Sequence, residues 1–380
     1  MGGTLVQEIA IIGASTAGLY AAELLSLAGM RVTVYERSPV LDPQERTYII
    51  TSSLEHALPD LKPTLVRHKV NHILLEAEGQ TADIKLSKPD LILDRRELIL
   101  ELTQRAENAG VEIRLNTEFI GFNRSTEDVA LRFSSGQTQF SAKADWLIGA
   151  DGVNSAVRRS AGMEPIQTVP LLQARVNLPE SWDSGVTKVW FVPTQTPYFY
   201  WLIPDRKGKG AVGLIAETGA DIRGLLDSFL EEHGFEAISY QSGQASLHAR
   251  RLQNDVQVGG LPVCLVGDAA GQVKVSTVGG TVTGLNGARA ISKRILSRSS
   301  HSHINTALDR ELNLHLFIRT LLKRMRAEDY ASMLKAINPA VKALLSERDR
   351  DSMRWHFWKL PFLQPQFIPL GLRLVLRRIE

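Results

Sequence analysis

The stretch LVGDAAGQVKVSTVGG, from Leu265 to Gly280, drives an apolar strand into Gly267 and Asp268, then into small residues, one lysine and a glycine pair. A carboxylate at a strand terminus can accept hydrogen bonds from a hydroxylated chain. Gly279 and Gly280 leave bare backbone N–H groups at the start of the following helix, TVTGLNGARAISKRIL. A second stretch, EIAIIGASTAGLYAAELLSLAGMRVTVYER, spaces Gly13, Ser15 and Gly18 as G-x-S-x-x-G, with Glu36 beyond it at the end of the next apolar run. Gly13 permits a sharp turn, Gly18 lets helix and strand pack closely, and the helix N-terminus offers N–H groups to a pyrophosphate. Ser15 stands where a second glycine is usual and is small enough for the same close approach; Ala17 joins the same small-residue contact surface. Glu36, with Arg37 after it, can accept hydrogen bonds from both ribose hydroxyls. Its charge disfavours a 2′-phosphate, so this end of the site implies FAD or NAD.

Such groups must be held by a parallel sheet. Ile9, Ile11 and Ile12 form a short buried-strand run, Leu19 to Leu27 carries helical periodicity, and RVTVYE is again β-branched, which together make a βαβ unit. DWLIGADGVNSAVRRSAG repeats the pattern, with an apolar strand ending at Asp151-Gly152 and then Ser155, Val157 and Arg158. Neighbouring strand ends of one parallel sheet would bring Gly13, Asp151 and Asp268 to a single crevice. Residues 94–109 read as an amphipathic helix, and VALRFSSGQTQFSAKADWLIGAD as a hairpin leading into the Asp151 strand. From about 165 to 258 the chain turns to short alternating or aromatic strands with proline and glycine breaks, the pattern of an antiparallel sheet.

The expected fold class is α/β. A Rossmann-type FAD-binding domain spans 1–164 and returns at 259–300, an inserted antiparallel-sheet substrate domain spans 165–258, and a helical C-terminal region spans 301–380. At 380 residues and 44% hydrophobic, the chain exceeds one ordinary core. A net charge of +3 lacks the footprint of nucleic-acid binding. The one cysteine, Cys264, lies in an apolar run and reads as a buried structural thiol, so no internal disulfide forms and a reducing, cytoplasmic setting is expected. No apolar run reaches the ~18 residues of a membrane span. The start MGGTLVQEIAIIG enters a strand too soon for a signal peptide, and Val6 occupies the position where a myristoylation signal has Ser or Thr. No Cys/His cluster has metal-ligand spacing.

The fingerprint at 13–36, GADGVNSAVRR and VGDAAGQVKVSTVGG together resemble the flavoprotein monooxygenase and geranylgeranyl reductase superfamily, over residues 9 to about 296. The last motif is closest to geranylgeranyl reductases, with Val275 in place of a proline and Val278 in place of a glycine. The resemblance implies bound FAD, with Asp268 on its ribityl chain and the backbone of Gly279 and Gly280 at the flavin ring. It makes Arg95 a pyrophosphate contact or else a solvated helix start, and leaves Asp151 either touching cofactor or bracing its own loop. Lys274 either adds positive charge beside the flavin or lies on the surface. The family's cysteine-glycine loop is replaced by QERTYIITSS, where Arg46 is a cofactor or salt-bridge candidate and Tyr48, or water, a proton source.

Phe199, Trp201, Ile203 and Pro204 follow F-x-W-x-I-P, similar to motifs of prenyl reductases and flavin halogenases, with Gly213 shortly after. The resemblance implies a wall of Phe199, Tyr200, Trp201 and Ile203 against a flat or isoprenoid substrate, Trp201 being closest to the chemistry; alternate core packing is the other reading. The implied activity is reduction of carbon–carbon double bonds of an apolar substrate, with oxygen-dependent monooxygenase or halogenase chemistry as the alternative. No second nucleotide fingerprint follows, so NAD(P)H would bind only transiently, or electrons come from another protein. The tail from Trp355 to Ile379 mixes Phe357, Trp358, Phe362, Phe367 and Leu374 with Arg373, Arg377 and Arg378. It suits either a peripheral membrane contact or docking on the protein's own surface.

Overall fold

The computed structural model describes residues 6–41, 46–124, 129–206, 208–297, 306–347 and 350–377. The N-terminal MGGTL, the boundary at 300/301, and Arg378 and Ile379 of the tail lie outside them.

Two buried faces explain the apolar runs of the nucleotide end. Five parallel strands lie in the order Leu261–Leu265, Trp146–Gly149, Glu8–Ile12, Arg31–Tyr35, Glu112–Arg114, with Asp255–Val258 antiparallel at one edge. Ile9 and Ile11 point to one face, into a core shared with Val32, Val34, Leu19 and Leu25. The helices Thr16–Leu27, Arg95–Asn108 and Thr281–Leu296 cover that face. Ala10 and Ile12 point to the other, against Phe119, Leu131 and Phe133 of a three-stranded antiparallel sheet. A strand buried on both sides cannot alternate with polar residues, hence the continuous apolar sequence. Cys264 is one of these buried positions, and burial pushes its thiol pKa up to about 11.

The second sheet has eight strands, in the order Ala237–Ser246, Thr168–Asn177, Lys209–Ile215, Tyr200–Pro204, Val186–Trp190, Val66–Ala77, Gln80–Asp94, Thr47–Ile50. The sequence reading confines an antiparallel sheet to 165–258; the structure extends it with three strands from 47–94, joined through the parallel pair Val186–Trp190 and Val66–Ala77. Side-chain parity divides its two faces. Leu172, Tyr200, Leu202 and Leu214 pack against Phe229 and Leu230 of the helix Ile222–Glu232. Leu171, Phe199, Trp201, Ile203 and Ile215 face a cavity on the other side. C-terminal helices roof that cavity, including Thr306–Leu322, Ala327–Lys335 and Phe367–Leu376, with Phe191 of the sheet stacked on Tyr330 at 4.5 Å.

Candidate active site

Parallel register brings the carboxyl ends of Ile12, Tyr35, Gly149 and Leu265 to one edge, so the residues just beyond them meet. Gly13 has φ +101°, and a Cβ there would stand 2.6 Å from the Ala150 carbonyl oxygen. At Gly18 a Cβ would meet the Gly13 oxygen at 2.4 Å, so both glycines are demanded by close approach. Ser15 caps the first helix, its Oγ accepting the Gly18 N–H at 3.2 Å. Glu36 accepts the N–H groups of Ala14 and Ser38, at 2.8 and 2.9 Å. Its carboxylate thereby stands beside the glycine turn, while Arg37 is exposed.

Asp151 turns out to brace its own loop. It accepts the Ser155 hydroxyl at 2.6 Å and the Ala156 and Val157 N–H groups at 2.6 and 3.1 Å. Arg158 is buried and braces the Asp268 segment from below, donating to the carbonyls of Ala269 and Glu164 and to Asn254.

A single cavity of about 1020 Å³ runs from these turns to the second sheet. At its nucleotide end lie Ser15, Ala17, Gly267, Asp268, Gly279 and Gly280; Arg46, Tyr48 and Arg95 line it further along. Burial pushes the Asp268 pKa from 3.8 up to about 6, against the pull of Arg95. Burial also raises the Tyr48 pKa, although Arg95 and Arg46 oppose it, so the phenol keeps its proton at neutral pH. Arg46 donates from its guanidinium to the Ser242 carbonyl. The helix Thr281–Leu296 begins at Gly280 with no side-chain cap, which leaves its positive end to the cavity.

The lysine loop departs from the sequence reading at one point and carries strain at another. Lys274 is buried rather than on the surface, and its ammonium pairs with buried Asp351 without lining the cavity. Thr51 donates to the same carboxylate at 2.5 Å. Val278, where the related motif has glycine, sits at φ +52°, a left-handed conformation that β-branched residues avoid. The turn closed by the Lys274 carbonyl and the Val278 N–H, at 2.7 Å, imposes it.

Three of the four expected wall residues line the cavity. Phe199, Trp201 and Ile203 line the cavity, and Phe199 meets Trp201 edge-on with centroids 6.1 Å apart. Tyr200 does not: strand parity turns it to the far face, where it stacks on Phe229 at 4.0 Å and donates to Gln195 at 2.6 Å. Gly213 makes room for the tryptophan, since a Cβ there would stand 2.5 Å from Trp201 Cζ2. Phe191, Ile73 and Leu75 complete the wall and were not singled out from sequence. They come from stretches whose strand parity is set by tertiary pairing.

In the tail, Arg373 and Arg377 both pair with buried Asp329, and Leu374 is buried, so these two arginines dock on the protein itself. Trp358, Phe362, Leu372 and Leu376 remain 60%, 85%, 61% and 81% exposed. None of the described helices is long and apolar enough to cross a membrane.

Glycines at tight backbone approaches, a carboxylate beside the glycine turn, a second carboxylate at the third strand end and an uncapped helix start fit an extended dinucleotide that reaches an apolar chamber. That arrangement defines a dinucleotide-dependent oxidoreductase fold. The model of the FAD binding domain family matches residues 7–298, and the chain belongs to that family. It is an FAD-dependent oxidoreductase. A digeranylgeranylglycerophospholipid reductase of Methanopyrus kandleri is 27% identical over 308 residues, covering 73% of this chain and 74% of that protein. A geranylgeranyl bacteriochlorophyll reductase-like protein of Thermoplasma acidophilum shares the fold with a TM-score of 0.79 at 16% identity, over 98% of this chain and 100% of the other. The p-nitrophenol 4-monooxygenase of Pseudomonas putida has a TM-score of 0.63 at 16% identity, over 98% and 99%.

Proposed function

We propose that the enzyme reduces carbon–carbon double bonds of an isoprenoid or related apolar substrate. The observation that carries this is the continuity of one cavity from the cofactor turns to a wall of Phe199, Trp201 and Ile203. The Methanopyrus relative, named as a reductase of a geranylgeranylated lipid, supports the same chemistry. When bound, FAD supplies the hydride.

The chain's own residues do the rest. The Gly13–Gly18 turn and Arg95 hold the pyrophosphate, Glu36 the ribose, and Asp268 the ribityl chain. Gly279 and Gly280 offer N–H groups to the ring. Phe199 and Trp201 press a polyene flat and exclude water, and Tyr48, which lines the cavity and keeps its proton at neutral pH, offers a phenol hydrogen-bond donor. A nicotinamide donor would approach transiently through the open cavity. The exposed apolar side chains of Trp358 and Leu372 stand at the cavity's C-terminal rim, and with Phe362 and Leu376 nearby they suit a peripheral contact with a lipid surface.

Oxygen chemistry on the same frame is the second reading, since a monooxygenase shares the fold. Reduced holoenzyme mixed with geranylgeraniol without air separates the two. A product two mass units heavier supports the reductase; a product formed only in air, with one oxygen added, would sink it.

A further inference from the structure

On the helix Thr306–Leu322, Glu311 at 7% and His315 at 0% exposure are buried one turn apart, with Arg319 buried one turn further on. A buried imidazole and carboxylate are costly to keep unless they hold one another or a third group. His315 Nδ1 lies 2.6 Å from the Ser276 hydroxyl oxygen, and Nε2 lies 3.6 Å from Glu311 Oε1. Glu311 in turn accepts the Met353 and Arg354 N–H groups, at 2.5 and 3.2 Å. Burial would push the Glu311 carboxyl up, yet His315 and those two N–H groups outweigh it and hold the group below its ordinary range. Glu311 beside Nε2 places a counter-charge against the ring, whose Nδ1 faces the Ser276 hydroxyl. Of the three residues only Ser276 lines the cavity, in the loop between Lys274 and Gly279.

We propose that Ser276, backed by His315 and Glu311, is the proton-delivering couple of the cavity; this rests on the double-bond reduction proposed above. The π bond opens, one carbon takes a hydride from the reduced cofactor, and the other takes the Ser276 Oγ proton. The Nδ1 proton of His315 restores the hydroxyl, and the imidazole regains its proton from water before the next turnover. Hydride and proton account for both new C–H bonds, and the two electrons come from the cofactor. Ser276 is the catalytic residue, and His315 and Glu311 position and recharge it.

The test has two arms on the holoenzyme. With histidine labelled by 15N, the His315 Nδ1 resonance is expected at an imidazolium shift. Its exchangeable-proton signal should vanish in Ser276→Ala and persist in Ser276→Thr. In anaerobic single turnover of dithionite-reduced enzyme with geranylgeraniol, Ser276→Ala and His315→Asn should slow saturation by about 100-fold or more. Ser276→Thr should restore the rate, and substrate affinity and retained FAD should not change. His315→Asn is informative because its amide keeps a hydrogen bond to Ser276 but holds no transferable proton. A bare Nδ1 in the resting holoenzyme overturns the proposal, as does Ser276→Ala turning over at the wild-type rate. If wild-type enzyme saturates no double bond, the reduction reading fails by itself. The ring shift then decides alone whether the couple carries a proton: a protonated Nδ1 upholds it and a bare one overturns it.

Discussion

Replacing Asp268 by Asn should stabilise the cofactor-free protein while weakening its hold on FAD. The folded pKa is raised from 3.8 to about 6, because burial disfavours the charged form more than Arg95 favours it. The unfolded chain therefore releases this proton first. Below pH 3.8 both states are protonated and the group contributes nothing against folding. Between about 4 and 6 folded-state stability falls as pH rises, and above 6 the loss is constant. A gap of about two pH units corresponds to a ceiling of ~3 kcal/mol, reduced by whatever water reaches the half-buried carboxylate. Urea unfolding of deflavinated wild type and Asp268→Asn at pH 4 and pH 8 measures it. The variant should match wild type at pH 4 and exceed it by up to ~3 kcal/mol at pH 8. FAD affinity should fall by about tenfold, the value of one charge-assisted hydrogen bond. A stability difference equal at the two pH values, or a variant weaker than wild type at pH 8, would refute the reasoning.

Other perturbations test separate parts of the site. Val278→Gly relieves the +52° backbone and should raise apoprotein stability by about 1 kcal/mol in thermal unfolding. Lys274→Met removes the ammonium that pairs with buried Asp351 and should cost about 3–5 kcal/mol; in the double variant with Asp351→Leu most of this should return, as a double-mutant cycle reads directly. Asp329→Asn removes the negative charge shared by Arg373 and Arg377 and should expose the last helix to protease before the sheet is cut. Phe362→Ser with Leu376→Ser should reduce flotation with neutral liposomes, because both side chains are more than four-fifths exposed.

The nucleotide end is legible because two physical demands coincide there. Strands covered on both faces must be apolar throughout, and the turn after Ile12 admits only glycine where a Cβ would strike the Ala150 carbonyl. The hairpin Val66–Ala77 and Gln80–Asp94 is not legible in the same way. His68, Lys69, Asn71 and His72 interrupt its alternation, Pro89 sits inside it, and irregularities after Val66 and Val70 shift the pairing register. Tyr200 shows the limit of reading composition without parity, since an aromatic between two wall residues belongs to the opposite face. Asp151 was resolvable locally, because Ser155 and the two N–H groups that follow it lie within helix-capping reach. Ser276 stands inside a quoted motif, but its partner is 39 residues away on a separately packed helix. Only the docking of that helix joins them, and Lys274 finds Asp351 in the same fashion.

The parallel pairing of Val186–Trp190 with Val66–Ala77 has a consequence for synthesis. As the chain leaves the ribosome, the strand Val66–Ala77 emerges more than a hundred residues ahead of its neighbour Val186–Trp190 and waits with one long edge open. An open edge is a template for joining another nascent copy. Until residue 190 appears, that edge is the part of the sheet most in need of shielding.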